Sequence, residues 1–109
     1  LPIFVIARDL FEKVDGKFDL IVFNPPYLPT KGENRSWDGG EGGKEIIERF
    51  LMDAQKYLKR GGKIYMVMSS LTDTDSVITK FKDVYDFQII KRDHFFFEDL
   101  YVFKITIKS

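Results

Sequence analysis

The sequence has no cysteine, a single histidine and no excess of either charge, with 17 Lys and Arg set against 17 Asp and Glu. Without cysteine there is neither a disulfide framework nor a thiolate zinc site, and a reducing cytoplasm is the expected compartment. His94 has no second imidazole with which to share a metal ion, so no metal site is expected. Neutral charge removes the global pull toward nucleic acid that a basic domain exerts. No apolar run approaches the ~20 residues of a membrane span. The opening residues Leu1 to Ala7 are apolar but lack a basic leader, so no secretory signal is expected.

What is present suffices for one folded domain. Of 109 residues, 44% are hydrophobic and eleven are phenylalanine, ample for a single core and too few residues for two. Ile3 to Ala7 is a short continuous apolar run, the pattern of a strand covered on both faces. Asp19 to Phe23 is a second such strand, stopped by Asn24-Pro25-Pro26. Residues 28–43 carry Pro29, Gly32 and the cluster at 38–43, and read as loop. From Lys44 to Arg60, Ile46, Ile47, Phe50, Leu51, Ala54, Tyr57 and Leu58 fall at helical steps, and Gly61-Gly62 stands where a helix C-terminal glycine is expected.

Lys63 to Ser69 reads as a third strand, and Thr72 as the N-cap of a second helix whose inner face is Val77, Ile78, Phe81, Val84 and Tyr85. Phe87 to Phe97 and Leu100 to Lys108 are extended runs with a break at Glu98-Asp99, too short for a parallel crossover and therefore antiparallel neighbours. The order β, β, α, β, α, β, β predicts an α/β fold with a mainly parallel sheet and an antiparallel edge strand.

Asn24-Pro25-Pro26-Tyr27 is the stretch that carries chemistry. It follows a buried strand, at the end where open α/β sheets place their ligands. Each proline fixes its own φ, lacks an N–H and pushes the residue before it toward extended geometry. Asn24 and Pro25 are thus stiffly held, with the Asn24 side-chain oxygen and nearby main-chain oxygens left as preset acceptors. Such a cluster suits a planar NH2 group: accepting both protons orients the nitrogen and steadies the charge that grows there during attack. Tyr27 adds an aromatic face for stacking.

The segment FDLIVFNPPYLPT at 18–30 resembles the catalytic segment of S-adenosylmethionine-dependent methyltransferases acting on planar amino or amide nitrogens. Together with WDGGEGGKEIIERFL at 37–51 and KIYMVMSS at 63–70, it is similar to the HemK-type protein-glutamine methyltransferases, in their archaeal and eukaryotic branch. The resemblance implies a Rossmann-like sheet, S-adenosyl-L-methionine as cofactor, and methyl transfer to the side-chain amide of the Gly-Gly-Gln glutamine of a peptide chain release factor. It implies that Asn24 and Pro25 accept the hydrogen bonds of that amide while Pro26 and Tyr27 shape the slot. It further implies that Asp9 and Leu10 lie beside the cofactor's adenine, and Asn24 against its methionine part. A small zinc-binding activator subunit is the partner implied.

One departure stands out. The family opens with a strand ending in an acidic, glycine-rich cofactor loop, then a second strand ending in an acidic residue for the ribose, and neither is present. The Gly-rich stretch at 39–43 follows a loop rather than a strand, so it fails the test for a nucleotide loop and reads as a linker or a lid. In the family's sheet those two strands lie between the ones at 3–7 and 19–23, so a gap with unpaired backbone groups is expected. The chain is therefore read, over 1–109, as the carboxyl-terminal part of one methyltransferase catalytic domain. A DNA or RNA adenine or guanine amino-methyltransferase shares the motif, and a non-catalytic fragment without the cofactor loop is the other alternative.

Other features have plainer readings. His94 is expected to be a solvated or hydrogen-bonded strand residue. Phe95-Phe96-Phe97 is expected to pack into the core with one ring exposed. Lys56, Lys59, Arg60 and Lys63 suit a helix C-terminus. Arg35 and Trp37 are candidates for the wall of a substrate channel.

Overall fold

The computed structural model describes residues 3–6, 11, 15–25 and 40–108. Its strands are β1 (Ile3–Ile6), β2 (Phe18–Phe23), β3 (Leu58–Ser69), β4 (Tyr85–Phe95) and β5 (Glu98–Ile107). Helix α1 (Gly40–Ala54), continued by a short 3-10 turn at Gln55–Tyr57, joins β2 to β3, and α2 (Thr74–Phe81) joins β3 to β4. The described strands form one sheet in the order β1-β2-β3-β5-β4. β1, β2 and β3 run parallel, while β5 is antiparallel to both of its neighbours. The antiparallel strand therefore sits one place in from the edge, and β4 is the edge strand.

Period-two alternation builds the core. Ile21 and Phe23 of β2, Ile64, Met66 and Met68 of β3, and Phe103 and Ile105 of β5 are buried on one face. Ile47, Phe50, Leu51 and Ala54 of α1 and Val77 and Phe81 of α2 close over them in one cluster. Phe50 stacks on Phe23 at 4.3 Å between ring centroids, and Phe11 stacks on Tyr57 at 4.3 Å. On the opposite face Leu20, Val22, Tyr65 and Val67 are only half-buried. Lys80 Nζ meets Glu48 Oε1 at 3.1 Å, tying the two helices together. Among the described residues no helix is long and apolar enough to cross a membrane.

Four expectations need correction. No gap separates the first two described strands: β1 pairs directly with β2, Val5 opposite Val22. The glycine pair at 61–62 does not cap a helix. Leu58 already pairs with Phe18 and Lys63 with Leu20, so residues 59–62 bulge out of β3 opposite Asp19. Gly61 has φ +79°, and a Cβ on Gly62 would lie 2.8 Å from Leu58 Cδ1 and 2.9 Å from the Lys59 carbonyl oxygen. Lys59, Arg60 and Lys63 thus belong to the bulged strand, with Lys59 Nζ 3.9 Å from Asp19 Oδ2.

Third, α2 is capped by Asp73 rather than Thr72: the Asp73 carboxylate accepts from the Ser76 N–H at 3.2 Å, and Tyr85 opens β4 instead of closing the helix. Fourth, the break between the last two strands falls on Phe96-Phe97, with Phe95 paired to Glu98. Phe96 and Phe97 are 93% and 89% exposed and Phe95 is 49% exposed, so none of the three enters the core.

Candidate active site

The parallel strands β2 and β3 end side by side, and a cleft of about 100 Å³ opens at their carboxyl ends. Asn24 and Pro25, the two residues after β2, form one wall. Pro25 is buried and Asn24 is exposed, so the proline ring anchors the turn while the amide beside it faces solvent. Among the described residues no hydrogen bond occupies the Asn24 side chain, which leaves its oxygen available as an acceptor.

The other walls come from elements that converge on the same end of the sheet. Gly43 and Ile47 project from the first turns of α1, so the glycine-rich stretch from Gly40 onward is helix rather than linker. The ideal Cβ position on Gly43 lies 3.6 Å from Thr72 Oγ1. Val67, Met68, Ser69, Thr72 and Leu100 complete the cleft.

Hydrogen bonds lock this wall. Ser69 Oγ donates to Glu98 Oε2 at 2.6 Å and accepts from the Leu71 N–H at 3.0 Å. Ser70 N–H donates to the Asp99 carbonyl at 2.8 Å, and Asp99 N–H donates to Ser70 Oγ at 2.8 Å. Ser69 and Thr72 are the buried polar residues of the described chain. The sequence pattern marks Ser69 as a strand end and Thr72 as a cap but assigns neither to the site, since isolated hydroxyls carry no motif. Their signal lay in position: Ser69 ends β3 and Thr72 follows it, at the ligand-binding end of the sheet. His94 is exposed and pairs with Asp99 through Nδ1, as a hydrogen-bonded strand histidine.

Pro26, Tyr27, Asp9 and Leu10, with Arg35 and Trp37, lie outside the described residues. Asn24 and Pro25 are the expected site residues that the structure brings together. Among the described residues no cluster of three His, Asp or Glu side chains is placed to hold a metal ion.

A parallel sheet with an internal antiparallel strand, carrying Asn24 and Pro25 just past the carboxyl end of β2, defines a class. Residues 1–96 match the methyltransferase small domain family, and the chain belongs to it. Its relatives include HemK-type glutamine methyltransferases, and also ribosomal RNA small subunit methyltransferase C proteins. It is 44% identical over 102 residues to a Methanocaldococcus jannaschii protein that bears the name protein N5-glutamine methyltransferase, covering 86% of this chain and 52% of that one. It is 35% identical over 78 residues to the release factor glutamine methyltransferase of Streptococcus pneumoniae, covering 61% of this chain and 28% of the relative. Among solved structures, it superposes with a TM-score of 0.68 and 26% identity on a chain of the E. cuniculi Mtq2–Trm112 complex, responsible for methylation of the eRF1 translation termination factor. That match covers 95% of this chain and 60% of the other. The chain thus spans about half or less of the length of these two relatives, and somewhat more of the solved one.

Proposed function

We propose that the protein to which these residues belong transfers a methyl group from S-adenosyl-L-methionine to the side-chain amide nitrogen of a glutamine in a peptide chain release factor. On this reading residues 1–109 are the carboxyl-terminal part of its catalytic domain and supply the acceptor half of the site. The observation that carries the proposal is the placement of Asn24 and Pro25 at the ligand end of β2, facing a small cleft. At about 100 Å³ that cleft is well below the ~300 Å³ at which whole-ligand pockets begin. Its size suits one flat amide.

S-adenosylmethionine supplies an electrophilic methyl group on a sulfonium. The chain's own contribution is positioning. The Asn24 oxygen and the Pro25 carbonyl accept the two amide protons, which fixes the nitrogen lone pair and offsets the positive charge that develops on nitrogen. Pro26 and Tyr27 frame the flat group, Asp9 and Leu10 border the adenine, and Asn24 also meets the methionine part of the cofactor. The likeness to relatives named for glutamine methylation supports the acceptor. The complex with Trm112 supports a small activator subunit, zinc-binding by the resemblance, as partner. The absence of cysteine suits a cytoplasmic setting.

The test is transfer of labelled methyl from S-adenosylmethionine by the full-length protein, offered purified release factor or RNA and DNA. Label on the release factor, mapped by mass spectrometry to one glutamine side chain, is the expected result. Label confined to nucleic acid would overturn the reading.

A further inference from the structure

The β4–β5 hairpin ends in a tip that contradicts ordinary turn chemistry. Phe95 pairs with Glu98, so Phe96 and Phe97 are the whole two-residue loop. Such loops favour Asn-Gly or similar pairs because φ is positive at one or both positions. Here Phe96 holds φ +40°, the left-handed region where a bulky residue is disfavoured. Nothing in the core compensates, since Phe96 and Phe97 are almost wholly exposed. With Phe95 they present on the order of 400 Å² of apolar surface to water, the size at which a patch on a monomer is commonly functional.

The tip is rigidly joined to the acceptor cleft. Leu100, three residues beyond Phe97, lines that cleft and pairs with Ser69. The bonds from Ser69 to Glu98 and between Ser70 and Asp99 fasten the hairpin to the cleft wall. Three strand residues span about 10 Å, so the rings project about that far past the cleft floor. Leu71, 52% exposed, lies in sequence between Ser70, bonded to the hairpin, and Thr72 of the cleft. The charged groups near the tip are Lys91 and Arg92 against Asp93, Glu98 and Asp99, with His94 paired to Asp99. That balance offers no net attraction to a phosphate backbone.

We propose that Phe95–Phe97 is a docking surface for the polypeptide that presents the acceptor glutamine, gripping apolar side chains of the protein substrate beside the residue being methylated. The proposal rests on the acceptor reading above and adds to it: specificity for a folded protein over a free glutamine peptide resides partly in this tip. Exposed aromatics of this kind dominate binding where they insert into a partner.

The experiment uses the full-length protein with Phe96→Asn combined with Phe97→Ser, and separately Phe97→Ser alone. Asparagine tolerates the left-handed backbone, so the hairpin is retained. Expected is a KM for intact release factor raised about tenfold or more, with kcat and S-adenosylmethionine affinity within twofold. Methylation of a short glutamine peptide is unchanged. An unchanged KM for release factor overturns the docking proposal alone, as does an equal loss on protein and peptide. A wild-type protein that leaves release factor unlabelled overturns the acceptor reading, and this proposal with it. Loss of self-association, or of RNA affinity, as the sole effect of the variants assigns the tip to a second copy or to RNA and also overturns it.

Discussion

The Tyr85 hydroxyl donates to the carbonyl oxygen of Leu51 across 2.6 Å, joining the start of β4 to the end of α1. Helix α1 ends at Ala54 and passes directly into the 3-10 turn at Gln55–Tyr57. This buried bond fastens the last turn of α1 to the sheet where the chain turns into β3. Tyr85 is 1% exposed, and burial, before any other cause, pushes its hydroxyl well above the ordinary value near 10.

Replacing Tyr85 by Phe removes this buried hydrogen bond, and the expected loss is about 0.5–1.5 kcal/mol in chemical denaturation near pH 7. The pH dependence has a definite sign. Because the folded-state pKa is raised, the hydroxyl's contribution is complete below pH ~10 and is lost as pH rises toward the folded value. The gap in stability between wild type and Tyr85→Phe should therefore narrow above pH ~10. A gap that stays constant or widens there would contradict the assignment.

The bulge in β3 makes a second prediction. At Gly62 an added Cβ meets the backbone carbonyl of Lys59 at 2.9 Å as well as Leu58, so relief requires the bulge itself to move. Gly62→Ala should lower stability by about 2 kcal/mol or more. Gly61→Ala meets no neighbour within 4 Å but must hold φ +79°, and should lose about 1 kcal/mol. The check is the order of the two midpoints in thermal unfolding. A Gly62→Ala protein as stable as wild type would place the 61–62 pair outside a bulge.

These same residues show where the sequence stops being legible. Ile47, Phe50, Leu51 and Ala54 lie on the buried face that their spacing predicts, because helical period and burial coincide. Tyr57 and Leu58 continue that spacing by chance, and Leu58 is already a strand residue paired to Phe18. A bulge has no period, and a polar run ending in two glycines is locally identical to a helix end. The run Phe95–Phe97 misleads for the opposite reason: hydrophobicity predicts burial, whereas strand register alone carries these rings past the core. The position of Asn24 and Pro25 at the cleft was readable because proline chemistry and strand position act locally. Ser69 and Thr72 were not, since their importance comes from β5 and α1 arriving beside them.

Ser69 offers a third prediction. Its hydroxyl holds Glu98 at 2.6 Å and the Leu71 N–H at 3.0 Å, and a hydrogen bond to a charged group is worth about 1.5–3 kcal/mol. Ser69→Ala should lower stability by about 1–3 kcal/mol and loosen the hairpin from the cleft. Faster amide hydrogen exchange at Leu71 and Asp99, with exchange in α2 unchanged, is the expected signature. Uniform acceleration across the sheet would mean that the residue supports the core rather than the wall.

The central claim is that Asn24 holds the acceptor amide, and the most direct measurement is single-turnover methylation of purified release factor by full-length Asn24→Ala, paired with calorimetric titration of S-adenosylmethionine. Removing one preorganised partner of a developing charge reduces catalysis by roughly 100- to 1,000-fold. The account predicts a fall of that order in the methyl-transfer step with cofactor affinity within a few-fold of wild type. Transfer at the wild-type rate would contradict it.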